Sequence, residues 1–270
     1  MSAMNSGARN ESGQPQVDVG TLLKIAVDAA QRAGELLATR PSNFEVHQKS
    51  SAMDFATQMD LASEKLIVET ILSARPEDGI IGEEGADRQG RSGITWVIDP
   101  LDGTVNYFYD LAGWNVSIAA KDSEGVLLGV VYAPSINSLW TATRGGGAFK
   151  NGQPIRCNNP LTLDTALIGT GFSYSVETRV GQAALIQSLI PRIRDLRRNG
   201  AAAVDLCNVA TGSLDAYFEK DLKEWDLAAG GLIATEAGAI VSGRHGGPAG
   251  QEMALAAGPA LHALLIAEIG

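Results

Sequence analysis

The run Trp96-Val97-Ile98-Asp99-Pro100-Leu101-Asp102-Gly103-Thr104 constrains this chain more than any other segment. Three large apolar residues mark a buried strand, which ends in two aspartates followed at once by a Gly-Thr turn. Two ionised carboxylates held close together repel, and one must take up a proton unless a cation lies between them. Asp99 and Asp102 stand three apart with Pro100 stiffening the bend, so both side chains and the Leu101 carbonyl can converge on one point. Hard oxygen ligands of that kind suit Mg²⁺, which keeps part of its water shell and borrows oxygens from a substrate phosphate. Gly103 and Thr104 offer backbone N–H groups to an anion if a helix begins there. The segment points to metal-assisted phosphoryl chemistry.

The rest of the chain narrows the class. Its 270 residues suffice for one large domain or two intimately packed lobes. No apolar run approaches the roughly 18 residues of a membrane span, so a soluble globular protein is expected, without a membrane partner. Residues 1–16 are small and polar and lack an apolar stretch. They are expected to form a disordered tail, not a signal peptide. Cys157 and Cys207 are too few for a disulfide framework and fit a reducing cytoplasm. The net charge is −10, and the only basic cluster is Arg192, Arg194, Arg197 and Arg198, which argues against general nucleic-acid binding. An acidic protein that binds an anion needs local positive charge, which cations held by the aspartates would supply. His47, His245 and His262 fall at no spacing that suggests zinc.

Leu22, Ile25, Ala26, Ala29, Ala33, Leu36 and Leu37 recur at helical spacing and predict a helix over 18–39. Lys49 to Asp54 read as a polar, mobile loop. Asp60 reads as the cap of a second helix through Ile71, closed by Pro76. Ile80-Ile81-Gly82 predict a short strand delivering Glu83-Glu84, and further strands are expected near 115–121, 126–133 and 138–143. The glycines at 145–147 and the Asn151-Gly152 turn suggest a boundary between lobes of about 17–150 and 151–270 within one domain. The second half alternates: a strand near 166–171, helices over 177–197 and 201–211, a strand at 214–219 and a helix from Asp226. Small residues from Ala228 to Ala239 predict close helix packing. Such alternation implies an α/β fold of the layered-sandwich kind.

Asp60, Glu83, Asp99, Asp102, Glu219 and Asp226 all stand where strands meet loops or helices begin. Each alone is compatible with an ordinary cap or a solvated turn residue. Together they fit a known pattern. Gly82-Glu83-Glu84, the segment from Trp96 to Asn106, and Trp225-Asp226-Leu227-Ala228-Ala229-Gly230 resemble the signatures of the inositol monophosphatase family in order and spacing. Lys49-Ser50-Ser51, Thr57-Gln58-Met59-Asp60 and Asp215-Ala216-Tyr217-Phe218-Glu219 are similar to three further motifs of that family, with the bacterial SuhB-type members nearest. The likeness runs from about residue 20 to 265.

That resemblance implies layers alternating α/β/α/β/α, as in inositol monophosphatases and fructose-1,6-bisphosphatases. It implies two or three Mg²⁺ ions, with Glu83, Asp99 and the Leu101 carbonyl holding the first and Asp99, Asp102 and Asp226 the second. Asp60 and Thr104, with Glu83, would align the attacking water. Gly103 and Thr104 would bind phosphate, Asp102, Ala202 and Glu219 the alcohol, and Lys49 would lie on a loop near the metals. The implied reaction is hydrolysis of a small phosphorylated polyol, inositol 1-phosphate, without a covalent intermediate, by a lithium-sensitive homodimer. Histidinol-phosphate, fructose bisphosphate or 3′-phosphoadenosine phosphatases on the same scaffold are alternatives, as is a partner-binding protein with incidental activity. The lack of a basic patch for a second phosphate argues against the bisphosphates, and Arg198 has no assigned place. The chain departs from the usual pattern in several places. Leu101 replaces a common Ile, Ala201 a usual Ser or Thr, and Ala52 a frequent Pro, while Tyr109 and Trp114 stand at variable rim positions.

Overall fold

The computed structural model describes residues 18–51, 53–159 and 162–269, so the expectations for the 1–16 tail and for Ala52 lie outside the described residues. Helix α1 (Val19–Ala38) starts at Asp18, whose carboxylate accepts the Gly20 N–H, and buries the stripe Leu22, Ala26, Ala29, Ala33 and Leu37. The segment expected as a loop is a hairpin of β1 (Val46–Ser51) and β2 (Asp54–Thr57). Its polar, largely exposed side chains hide the strand from a pattern reading, because the pairing rests on backbone hydrogen bonds. Helix α2 (Gln58–Ala74) is capped by Thr57 and not by Asp60. Asp60 lies one turn in and closes the reciprocal box, accepting the Thr57 N–H at 2.7 Å.

Strands β3 (Gly79–Gly82), β4 (Asp87–Arg88) and β5 (Thr95–Asp102) follow, then the short helix α3 (Thr104–Phe108). Strands β6 (Asn115–Asp122), β7 (Gly125–Ala133), β8 (Ser138–Thr143), β9 (Gly147–Lys150) and β10 (Gln153–Pro154) complete an eight-stranded sheet ordered β10-β9-β8-β7-β6-β5-β3-β4. Only β3 and β5 run parallel in it.

The remaining elements are β11 (Leu167–Thr170), α4 (Val176–Leu189), β12 (Asp195–Arg197), α5 (Ala202–Ala210), β13 (Ala216–Glu219), α6 (Glu224–Glu236), β14 (Ile240–Ser242), β15 (Ala254–Ala257) and α7 (Pro259–Ile269). The strands form a five-stranded mixed sheet ordered β12-β11-β13-β15-β14. The helix expected over 177–197 ends at Leu189. Pro191 removes the N–H that would continue it, and residues 195–197 pair with β11 instead.

Four apolar cores separate five layers. α1 and α2 pack on one face of the large sheet, and α5 and α6 on the other through Val97, Val131, Ala203 and Ala229. The far side of α5 and α6 meets the small sheet through Leu206, Val209, Tyr217 and Ala256, and α4 and α7 cover the last face. The α/β/α/β/α order expected from the resemblance is the observed one. Small residues let the central layer sit close. A Cβ on Gly129 of β7 would lie 2.7 Å from the Ala229 carbonyl oxygen, and one on Gly230 would lie 2.9 Å from the Leu206 Cβ. Among the described residues, no helix is long and apolar enough to cross a membrane.

Candidate active site

In a regular strand, residues three apart face opposite sides of the sheet, so Asp99 and Asp102 should diverge. A register shift between β5 and β6 falls between these two residues, at Pro100, which has no N–H to give to a ladder. The bulge turns both carboxylates into one cavity. Asp99 Oδ1 accepts the Leu101 N–H at 3.0 Å, and Ser63 Oγ on α2 donates to the Pro100 carbonyl at 2.8 Å, so the turn is held from both sides. Gly103 then adopts φ 83°, open to glycine, where a Cβ would approach the Ala201 Cβ to 3.2 Å. Helix α3 begins at once but is only five residues long.

The cavity, of about 260 Å³, lies among the ends of β5, β11 and β13 and the starts of α5 and α6. Its lining includes Lys49, Glu83, Asp99, Leu101, Asp102, Gly103, Thr104, Ala202, Glu219 and Asp226, so it gathers the expected site residues except Asp60. Asp60 stands one contact behind, its Oδ1 accepting from Thr104 Oγ1 at 3.0 Å. The space suits a small molecule.

Asp102 caps α5 from outside. Its Oδ1 accepts the Ala202 N–H at 3.2 Å, and its Oδ2 accepts the Ala203 N–H and Asn115 Nδ2, both at 2.8 Å. Ala201, at the N-cap position, has no side-chain oxygen to do this. Of the Ala202 backbone, expected to meet the alcohol, the N–H is thus engaged by Asp102. Asp226 sits in the first turn of α6 and accepts the Lys223 N–H at 2.6 Å, so the helix begins at Glu224, two residues before the sequence reading placed it. Lys49 lies on β1, and its ammonium donates to Glu83 at 2.7 Å and to Glu84 at 2.5 Å. Burial works to lower the Lys49 pKa, and the two carboxylates outweigh it and hold it above the ordinary range.

Electrostatics single out the same residues. Asp99 is 1% exposed, and burial followed by the charges of Glu83, Asp102 and Asp226 drives its pKa well above the usual carboxylate range. Burial raises Asp102 as well, against its hydrogen bonds to Asn115 and the α5 amides. Burial and the Glu83 charge raise Asp226, while burial raises Glu83 against Lys49. Asp60 is pushed up to about 6 by burial, despite bonds from Thr57.

No Lys or Arg forms an ion pair with Asp99, Asp102 or Asp226 among the described residues. Nor are three acidic, histidine or cysteine side chains among them drawn together as a finished metal cluster. Glu83 is turned to Lys49, and Asp102 to the α5 amides. Buried carboxylates without a counter-cation nevertheless fit a hard divalent ion. The donor set is all oxygen, with no thiolate or imidazole to favour zinc.

Sequence reasoning missed several residues of the site. Asp205 lines the cavity from inside α5, is 1% exposed, accepts from Asn199 Nδ2 at 2.6 Å and is pushed up to about 7 by burial. Its signal was present, as a lone acid in the apolar run from Ala202 to Ala210. Glu64 accepts the N–H groups of Glu84 at 2.9 Å and Ala86 at 3.0 Å, which fixes the loop carrying Glu83. Arg198, Lys220 and Lys223 also line the cavity.

Comparison with known proteins agrees with this fold. The model of the inositol monophosphatase family matches residues 18–270, and the chain belongs to that family. An inositol-1-monophosphatase of Mycobacterium leprae is 41% identical over 235 residues, 83% of this chain and 81% of that protein. The Nus factor SuhB of Escherichia coli K12 is 42% identical over 231 residues, 84% of this chain and 86% of its own. The crystal structure of extragenic suppressor protein suhB from Bartonella henselae superposes with a TM-score of 0.88 at 31% identity, covering 92% of this chain and 98% of that one.

Proposed function

We propose that this member of the inositol monophosphatase family is a Mg²⁺-dependent phosphomonoesterase that hydrolyses inositol 1-phosphate to inositol and phosphate. The observation that carries the reading is the set of carboxylates lining one small cavity, buried Asp99 and Asp102 and half-buried Asp226 with Glu83 beside them, and among the described residues no cation is ion-paired with the first three. Glu83, Asp99, the Leu101 carbonyl, Asp102 and Asp226 would hold two or three ions. Bound there, Mg²⁺ supplies the positive charge that acidifies a water and screens the phosphoryl oxygens. The chain's own residues do the positioning. Thr104 Oγ1 donates its hydrogen bond to Asp60 Oδ1, so its lone pairs would be free to accept from the attacking water, which Glu83 would help to align. Gly103 and Thr104 line the cavity where the phosphate sits, and Glu219 borders the alcohol.

A turnover panel tests this. Phosphate release from inositol 1-phosphate, histidinol phosphate and 3′-phosphoadenosine 5′-phosphate at saturating Mg²⁺ should rank inositol 1-phosphate first. No release from any ester would overturn the reading. The relatives named Nus factor SuhB favour a second, additional role in binding a protein partner. Such a role would survive Asp99→Asn, which removes turnover.

A further inference from the structure

Helix α3 carries Thr104, yet it is a single turn of five residues, too short to hold its own orientation. Its far end is gripped by the end of α1 and the residues just past it. The Arg40 guanidinium donates to the Tyr107 carbonyl and, at 2.9 Å, to the Phe108 carbonyl, the last two of the helix. The Tyr107 hydroxyl returns the contact by donating to the Leu37 carbonyl at 2.6 Å. The guanidinium carbon lies 4.9 Å from the centre of the Phe44 ring and 5.2 Å from that of Tyr107, and Nε stands 3.6 Å from an Asp110 oxygen. Two carbonyls, two rings and a carboxylate define a seat for a planar fork, which an ammonium fills only in part. Arg40 reaches that seat with φ 26°, a backbone conformation unfavourable to L-residues, so its surroundings hold it there.

From the opposite side, Asn106 Nδ2 donates to the Asn199 carbonyl at 2.7 Å and to the Ala112 carbonyl at 3.2 Å, so α3 is suspended between α1 and the segment before α5. Within the site, Thr104 Oγ1 stands 3.0 Å from Asp60 Oδ1 and 3.1 Å from the Leu101 carbonyl oxygen. A roll of α3 about its axis moves that oxygen. We infer that Arg40, which lies outside the cavity lining, is a positioning residue for the proposed hydrolysis: by holding the Tyr107 and Phe108 carbonyls it sets the roll of α3 and with it the Thr104 oxygen offered to the attacking water. This rests on the phosphatase reading above. The proposed metal ligands lie on β5, after β3 and on α6, and none lies on α3. Loss of Arg40 should therefore slow the attack of water and leave substrate and metal binding nearly untouched. A misplacement of about 1 Å is enough to cost on the order of 10²-fold in rate.

The test is steady-state hydrolysis of inositol 1-phosphate at saturating Mg²⁺ by the parent protein, Arg40→Ala and Arg40→Lys, with kcat scaled to the folded fraction read from each melting curve. In Arg40→Ala, kcat should fall about tenfold or more, while KM and the calorimetric Kd for Mg²⁺ stay within about twofold of the parent. Millimolar guanidinium chloride should restore at least about half of the parent kcat to Arg40→Ala, because the free ion can occupy the emptied seat. Should Arg40→Ala fail to fold, Arg40→Lys carries the same comparison, with kcat down about threefold or more and KM unmoved. A folded variant with the parent kcat, a fall in kcat matched by weaker substrate or Mg²⁺ binding, or no recovery with guanidinium would overturn this inference while leaving the phosphatase reading intact. No turnover by the parent protein would overturn both.

Discussion

Replacing Asp99 by Asn should move stability in opposite directions with and without metal. Asp99 is chosen over Asp102 because an amide at 102 would set an NH₂ group against the Ala202, Ala203 or Asn115 donors, mixing a capping defect with a charge effect. At Asp99, Oδ1 accepts the Leu101 N–H, which an Asn oxygen can accept equally well. Three carboxylates act on Asp99, and among the described residues no Lys or Arg forms an ion pair with it. Folding raises the Asp99 pKa, which costs about 1.4 kcal/mol of stability at neutral pH for every tenfold weakening of the acid, and an Asn does not carry that cost. In a chain of 270 residues, each kcal/mol is worth about 2–4 °C. The variant in excess chelator should therefore melt at least about 2 °C above the parent. Adding Mg²⁺ at about a hundred times its Kd should raise the parent by ~2.7 kcal/mol and the variant by far less. Turnover should fall by about 10²-fold or more. The assay is paired thermal melts in chelator and in Mg²⁺. A variant that melts below the parent in chelator, or that gains as much from Mg²⁺, would refute the claim that these carboxylates are poised for a cation.

Three further outcomes are expected. Gly129→Ala should cost about 1–3 kcal/mol in urea denaturation, because its Cβ would meet Ala229 backbone atoms at 2.7–2.9 Å and push α6 off the large sheet. Glu219→Gln should raise KM for inositol 1-phosphate more than it lowers kcat, and an unchanged KM would remove Glu219 from the alcohol contact. His262 packs against the small sheet, its Nε2 2.8 Å from Ser242 Oγ, and burial lowers its pKa. Its neutral form is the one the fold favours, so its contribution is complete above the unfolded value near 6.5 and is lost as pH falls below it. The stability gap between the parent and His262→Gln should accordingly narrow by up to about 1 kcal/mol from pH 7.5 to 5.5.

Local patterns made much of this molecule legible before its structure. The period of α1, the apolar strand before Asp99 and the acids at element ends are written in neighbouring residues, and the resemblance to a family drew them into one site. What stayed hidden depends on distance or on backbone. The β1–β2 hairpin shows no apolar alternation, and the run of arginines from 192 to 198 masked the stop at Pro191. The bulge that turns Asp99 and Asp102 the same way cannot be read from their spacing, which by itself sets them on opposite faces. Asp205 is a lone acid in an apolar helical run whose sequence does not show which cavity it faces, and Arg198, Lys220 and Lys223 line that cavity from two separate chain segments.

The central claim is that these carboxylates make a divalent-metal phosphatase site. Phosphate release from inositol 1-phosphate by chelator-stripped protein, measured before and after Mg²⁺ is restored, tests it most directly. No release is expected until Mg²⁺ returns, with full turnover afterwards, and Ca²⁺ should fail to substitute because its larger, irregular shell fits an octahedral site badly. Undiminished turnover in excess chelator would contradict it.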